Sequence, residues 1–162
     1  MLFRSSQRLR VSAVPIFATH WLLPRLGQFL AAHPRIELQV EASPRMADME
    51  TGLVDVALRY GDGQWPDVAA DKVMSLRTVP VAAPALVKRL KLRGAADLVR
   101  APLIRVSPHG TSWTDWATAL GLDPQAFARK RGLQVDGMGA SLRAAAHGLG
   151  VALVFDPLID NE

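Results

Sequence analysis

The chain has 162 residues, 49% of them hydrophobic and 21% charged, which excludes a disordered polymer and suits one ordinary domain or two small lobes. It contains no cysteine, so disulfides, thiolate metal sites and cysteine nucleophiles are excluded together, as befits a reducing compartment. Lysine and arginine outnumber the acids 19 to 15, but the densest basic groups (Lys88, Arg89, Lys91 and Arg93, then Arg129, Lys130 and Arg131) lack the interleaved aromatics of a base-stacking surface and read as solvated faces.

The opening "MLFRSSQRLRVSAV" has no long apolar run before charges resume, so it does not read as a secretory signal. No segment approaches the ~20 apolar residues of a membrane-spanning helix. The expected location is the cytoplasm, with no membrane contact. Residues 8–14, "RLRVSAV", alternate and are valine-rich, which predicts a strand. "FATHWLLPRLGQFLAAHP" then places Leu22, Leu26, Phe29 and Leu30 at helical spacing. Pro24 lies inside this run and predicts a kink or two abutting helical pieces. "IELQVEA", 36–42, is a second strand. "SPRMADMETG" offers Ser43 as an N-cap, with Met46, Met49 and Leu53 on one face. "VDVALRY", 54–60, is a third strand. This alternation is the pattern of a parallel sheet with crossover helices.

Residues 61–70 are polar, with Gly61, Gly63 and Pro66, and read as a loop. Residues 72–84 are extended, and "PALVKRL" and "GAADLVR" are short surface helices. A second alternation follows: strand 102–106, a helix with Trp113, Trp116, Ala117 and Leu120 on one stripe capped by Thr111 or Ser112, strand "GLQVD", a helix with Leu142, Ala145, Ala146 and Leu149 facing inward, and strand "VALVF". Two small α/β lobes are the economical reading.

Catalytic signatures are mostly absent: there is no G-x-S-x-G, H-E-x-x-H or G-x-x-x-x-G-K-[ST]. His20, His33, His109 and His147 are far apart, so a metal site is not expected. "VDGMGAS", 135–141, has Gly137 and Gly139 but Leu142 where a dinucleotide loop needs its third glycine. It reads as a glycine-rich turn at a helix start, where free N–H groups can still attract an anion. His109 beside "GTS" lacks an orienting acid for a His–Ser pair. Trp113 and Trp116 read as packing residues before they read as an aromatic platform. Arg59 and Tyr60 stand at the carboxyl end of a parallel strand, where ligands gather in open sheets. Arg59 either clamps a carboxylate with two hydrogen bonds or pairs with a nearby acid such as Asp62.

Four stretches, "LRVSAVPIFATHWLLPRLGQFLAAHPRIELQV", "GLVDVALRYGDGQWPDVAADKV", "VPVAAPAL" and "LRAAAHGLGVAL", together resemble the effector-binding domain of LysR-type transcriptional regulators. "RYGDGQW" and the W-x-x-W of "WTDW" are similar to the branch that includes activators of glycine cleavage and of β-lactamase induction. The resemblance spans about residues 8–155. It implies an α/β fold of two Rossmann-like lobes, similar to type 2 periplasmic binding proteins, with a small-molecule cleft between them. On this reading 8–80 form lobe I, 81–155 lobe II, and 156–162 begin a return crossover to a C-terminally truncated lobe I. The DNA-binding winged helix-turn-helix is expected to precede residue 8, so DNA contact would come only through that absent part.

The resemblance further implies a homodimer and no enzymatic activity, cofactor or metal. It places effector contacts at Pro15, Ile16 and Phe17, at Ser43 with Pro44, at Arg59 and Tyr60, at Gly110 and Thr111, and at Gly137 and Met138. Ile16 and Met138 stand where many relatives carry a hydroxyl, which shifts weight to backbone N–H contacts or a more apolar ligand. The implied function is sensing of a small anionic metabolite. The alternative is a solute-binding protein of the same fold, which predicts an export signal.

Overall fold

A computed structural model of the chain describes residues 7–45, 53–107, 112–128 and 132–159. They form two compact units that divide between Ser75 and Leu76. In the first, β1 (Gln7–Ala13), β2 (Ile36–Ala42) and β3 (Val56–Leu58) make a parallel sheet in the order β2-β1-β3. The register runs from Gln7 opposite Ile36 to Ala13 opposite Ala42, and Ala13 also faces Leu58. All three strands therefore end at the same level. At the amino end of β3, Asp55 accepts from the Arg10 backbone N–H at 2.8 Å and from its guanidinium at 3.1 and 2.8 Å. These bonds stitch β3 to β1.

After β1 the chain turns helical at once. A short α1 (Pro15–Phe17) runs into a widened turn at Ala18–Leu22, a tightened one at Leu23–Arg25, and α2 (Leu26–Ala32). The irregularity follows from Pro24, which has no N–H to offer the carbonyl one turn back. The widened turn closes with the Leu23 N–H on the Ala18 carbonyl. Arg25 then places its guanidinium on the Trp21 carbonyl at 2.9 Å and over the Trp21 ring. The run is thus one continuous helical path of changing pitch. Only Ile16, Phe17 and Ala18 of it are buried. The predicted apolar stripe is poorly covered, with Leu30 42% exposed. Of the helix expected after Ser43, Met46 and Met49 lie outside the described residues, and Leu53 is exposed.

The second unit holds β4 (Arg77–Val81), α3 (Pro84–Leu90), a tight helical turn at Ala95–Arg100, β5 (Arg105–Val106), α4 (Trp113–Ala119), α5 (Pro124–Ala128), β6 (Gln134–Val135), α6 (Met138–Ala146) and β7 (Ala152–Asp156). β4 pairs antiparallel with β7, and β5 pairs parallel with β6. A parallel bridge from Leu103 to Val151 joins the two ladders. β4 is hydrogen-bonded to β7 and so lies in the second compact unit. Residues 156–159, expected to begin a return crossover, stay with this unit, where Leu158 is buried. Gly132 lets the chain pass tightly into β6, since a Cβ there would lie 2.0 Å from the Leu103 carbonyl.

One core packs Leu86, Leu98, Leu103, Trp113, Trp116, Ala117, Phe127, Val151 and Leu153 together. A second, beneath α6, packs Ile104, Ala144, Ala145, Ala152 and Val154. Two expectations need correction. Leu120 is 53% exposed and Leu149 59% exposed, because α4 ends at Ala119 and α6 at Ala146, so neither residue continues its stripe. Ala146 is exposed too, and the inward face of α6 is Ser141, Ala144 and Ala145, with Leu142 partly covered. α5, unread in the sequence, contributes Phe127 to the core.

The Arg10 guanidinium and backbone hold the Asp55 carboxyl below the usual carboxylate range. A lowered carboxyl pKa stabilises the folded state above the ordinary value of ~3.9, and the effect fades as pH falls through the lower folded value. Asp55→Asn is therefore expected to lower the urea midpoint at pH 7, with the gap from the parent closing below about pH 4. A gap that persists unchanged through acid would contradict the pairing.

Candidate functional site

The carboxyl ends of β1, β2 and β3 are knitted together just beyond the sheet. The Ser43 N–H donates to the Ala13 carbonyl at 2.9 Å, and the Val14 N–H reaches the Leu58 carbonyl at 3.4 Å. Arg59, the residue after β3, lies folded onto this junction. Its Nη1 donates to the Leu58 carbonyl at 2.9 Å, and its Nη2 to Ser12 Oγ at 2.7 Å and to the Arg45 carbonyl at 2.8 Å. Asp62, the alternative partner, instead accepts from the Gln64 N–H. No carboxylate hydrogen-bonds to Arg59 among the described residues.

This geometry limits what Arg59 can do. A guanidinium grips a carboxylate with two bonds through either of two pairs of hydrogens, and each pair includes one from Nη2. Both Nη2 hydrogens are already engaged. A two-bond grip would therefore displace Ser12 or the Arg45 carbonyl. Nε is buried and finds no acceptor among the described residues, and a dry donor of this kind costs about 1–3 kcal/mol. Burial lowers the guanidinium pKa, and the nearby Glu41 opposes that shift. Arginine remains cationic regardless, so the junction carries a positive charge to which no carboxylate among the described residues is hydrogen-bonded.

Ser12 and Arg45 were not singled out in the sequence. Ser12 is 2% exposed, at the end of the central strand. Its signal was a hydroxyl in an otherwise apolar strand end, "VSAV". Arg45 takes part through its backbone carbonyl, which leaves no side-chain signal.

The other predicted contacts divide between the units. In the first, Ile16 and Phe17 are buried, and Phe17 packs against the Trp21 ring at 4.9 Å. Pro15 is exposed and accepts at its carbonyl from Thr19. Ser43 Oγ accepts from the Arg45 N–H at 3.2 Å, the local bond of a turn or helix start. Tyr60 is 63% exposed. In the second unit, Gly110 and Thr111 lie outside the described residues. Gly137 is the N-cap of α6 and Met138 its first residue, and no side chain caps this end. Gly137 and Gly139 would each accept a Cβ with nothing within 4 Å, so packing of this chain does not require glycine at either. Ser141 turns back to the Met138 carbonyl at 2.8 Å.

The tryptophan pair is core. Trp113 stacks on Phe127 with centroids 6.1 Å apart, meets Trp116 edge-on at 5.5 Å, and donates Nε1–H to the Ile104 carbonyl at 2.9 Å. Ser112 caps their helix by accepting from the Thr114 and Asp115 N–H groups. Among the described residues no His, Asp and Glu cluster could hold a metal ion.

Residues 4–162 match the LysR substrate binding domain. The chain is 36% identical over 158 residues to the glycine cleavage system transcriptional activator of Escherichia coli K12, covering 95% of this chain and 50% of that protein. It is 34% identical over 145 residues to the HTH-type transcriptional activator AmpR of Pseudomonas aeruginosa, covering 90% and 48%. The chain thus spans about half the length of these curated relatives. Among solved structures, the effector domain of AmpR from Pseudomonas aeruginosa superposes with a TM-score of 0.80 at 32% identity, covering 95% of this chain and 73% of that one. CrgA, a LysR-type regulator from Neisseria meningitidis, superposes at 0.81 with 20% identity, covering 98% and 53%, a likeness of fold alone.

Trp113→Phe keeps an aromatic ring but leaves the Ile104 carbonyl unpaired in the core. It is expected to lower unfolding stability by about 1–3 kcal/mol, read by chemical denaturation. An unchanged midpoint would mean that the indole is not held as described.

Proposed function

The chain belongs to the LysR substrate-binding domain family, and from that membership we propose that it senses a small anionic metabolite for a longer transcriptional regulator. It is an effector-binding domain with the type 2 periplasmic-binding-protein-like α/β fold of its relatives. Those relatives are transcriptional activators. The observation that carries the ligand reading is the convergence of three parallel strand ends on a guanidinium that bonds no carboxylate among the described residues. Open α/β sheets recruit ligands at that edge, and a charge among oriented amides attracts an anion.

Effector contacts in the first unit are Pro15, Ile16, Phe17, Ser43, Arg59 and Tyr60. In the second they are Gly110, Thr111, Gly137 and Met138. The glycines at the start of α6 support the latter set, since the fold does not demand them and they leave backbone N–H groups open to approach. Arg59 acts here through its charge more than through a two-bond grip, because its Nη2 hydrogens are engaged. With Ile16 and Met138 in place of hydroxyls, backbone donors carry the polar recognition. The effector works by binding one state of the regulator better than another, and only that difference shifts the population. A homodimer in the cytoplasm, joined to DNA through a helix-turn-helix elsewhere in the regulator, completes the proposal. No described helix is long and apolar enough to cross a membrane.

A thermal-shift panel of glycine, other amino acids and aromatic carboxylates tests this. The expected result is one class that stabilises the chain, by roughly 2.7 kcal/mol at one hundred times its Kd, with the shift largely lost in Arg59→Ala. A panel in which every anion leaves the melting curve unmoved would refute the reading.

A further inference from the structure

We propose that Ser12 and Arg59 are positioning residues that hold the turn after β2, residues 43–45, against the carboxyl ends of β1 and β3. The assignment rests on the reading of this rim as part of the effector site, and it adds Ser12 and the Arg45 carbonyl to that site's machinery. The sheet ladder stops with Ala13, Ala42 and Leu58. Beyond it the chain has few ties. Ser43 is held to β1 by one backbone bond. The Arg45 N–H is satisfied locally, by Ser43 Oγ. Among the described residues, the Arg59 bond to the Arg45 carbonyl is what connects residue 45 to a different strand.

The residue types fit that task. A buried hydroxyl is retained where it has a partner, and Ser12 has the guanidinium at 2.7 Å. A planar fork serves three acceptors on three segments from fixed directions, whereas a lysine ammonium, which also has three donors, gathers them at one point on a flexible stem. The three acceptors are a carbonyl at the end of β3, a hydroxyl at the end of β1 and a carbonyl in the turn after β2. All are neutral, so these three bonds fix the shape of the rim without themselves neutralising the guanidinium. The bracket also sets a competition: an anion gripped by two bonds takes one Nη2 hydrogen and so displaces either Ser12 or the carbonyl of residue 45. Rim order and anion binding are therefore coupled through one nitrogen, and Ser12 influences recognition without touching ligand.

Amide hydrogen exchange followed by NMR on the 162-residue chain tests this without a ligand. In Ser12→Ala and in Arg59→Met, the Ser43 and Arg45 amides are expected to exchange at least about tenfold faster, while Leu9 and Val11 in β1 stay within about twofold of the parent. Asp55→Asn, which loosens β3 from β1 at the opposite end of the strands, is expected to leave residues 43 and 45 protected. Should Arg59→Met fail to fold, Ser12→Ala decides alone. Parent-like exchange at 43 and 45 in Ser12→Ala overturns the proposal. So does a uniform rise across β1, which would make the bracket a general brace. In a second arm, whichever of glycine or sodium benzoate stabilises the parent is titrated against Ser12→Ala, with at least about fivefold weaker binding expected; unchanged affinity overturns the role in recognition. If neither probe stabilises the parent, the effector reading fails for these probes while the exchange result still judges the bracket.

Discussion

Parallel strands deliver their carboxyl ends, and the loops that follow them, to one edge of a sheet. Something must hold those loops in register once the ladder stops. In the first unit much of that work falls to one guanidinium, which serves the Leu58 carbonyl, Ser12 Oγ and the Arg45 carbonyl together. Among the described residues its helical run buries three side chains, and its sheet has three strands. A small, thinly packed unit of this kind is one in which a single polar junction can set local shape, because few apolar contacts oppose it.

The second unit is built on the opposite principle. Its apolar residues divide into two clusters on either side of the joined β4–β7 and β5–β6 ladders, and aromatic contacts among Trp113, Trp116 and Phe127 fix one of them. Its polar side chains mostly serve local ends. Asp97 takes the Arg93 and Gly94 N–H groups and the Arg100 guanidinium, and Arg77 pairs with Asp156 across β4 and β7. The start of α6 has no side-chain cap and lies next to glycines that packing does not require. The two units thus differ in polar character, with a cationic junction in one and an uncapped helix start in the other.

Much of this was legible in the sequence, and the rest was hidden for physical reasons. The strand and helix alternation could be read because hydrophobic period carries it, and the W-x-x-W helix because its cap and stripe are local. Arg59 could be placed at a strand end. Its partners could not, because a side chain that folds back onto carbonyls makes bonds whose acceptors have no residue signature. Asp62 was the natural guess from proximity in sequence, yet the turn at 61–64 directs its carboxylate to Gln64 instead. Pro24 announces an irregularity, but apolar spacing does not say that it resolves as a widened and then a tightened turn. Leu120 and Leu149 fell off their stripes because each helix stops a residue or more earlier than the apolar spacing suggests. α5 was missed because five residues are too few to show a period.

The central claim is that the Arg59 guanidinium is locked inside the junction and not waving at its surface. The Nε–H signal of Arg59 in a proton–nitrogen NMR spectrum reports on this directly. The account predicts a distinct resonance that survives at neutral pH, because a buried Nε–H is shielded from water exchange, and that moves when Ser12 is replaced by alanine. A signal that exchanges away as fast as those of exposed arginines such as Arg8 and Arg35, or one indifferent to Ser12, would contradict it.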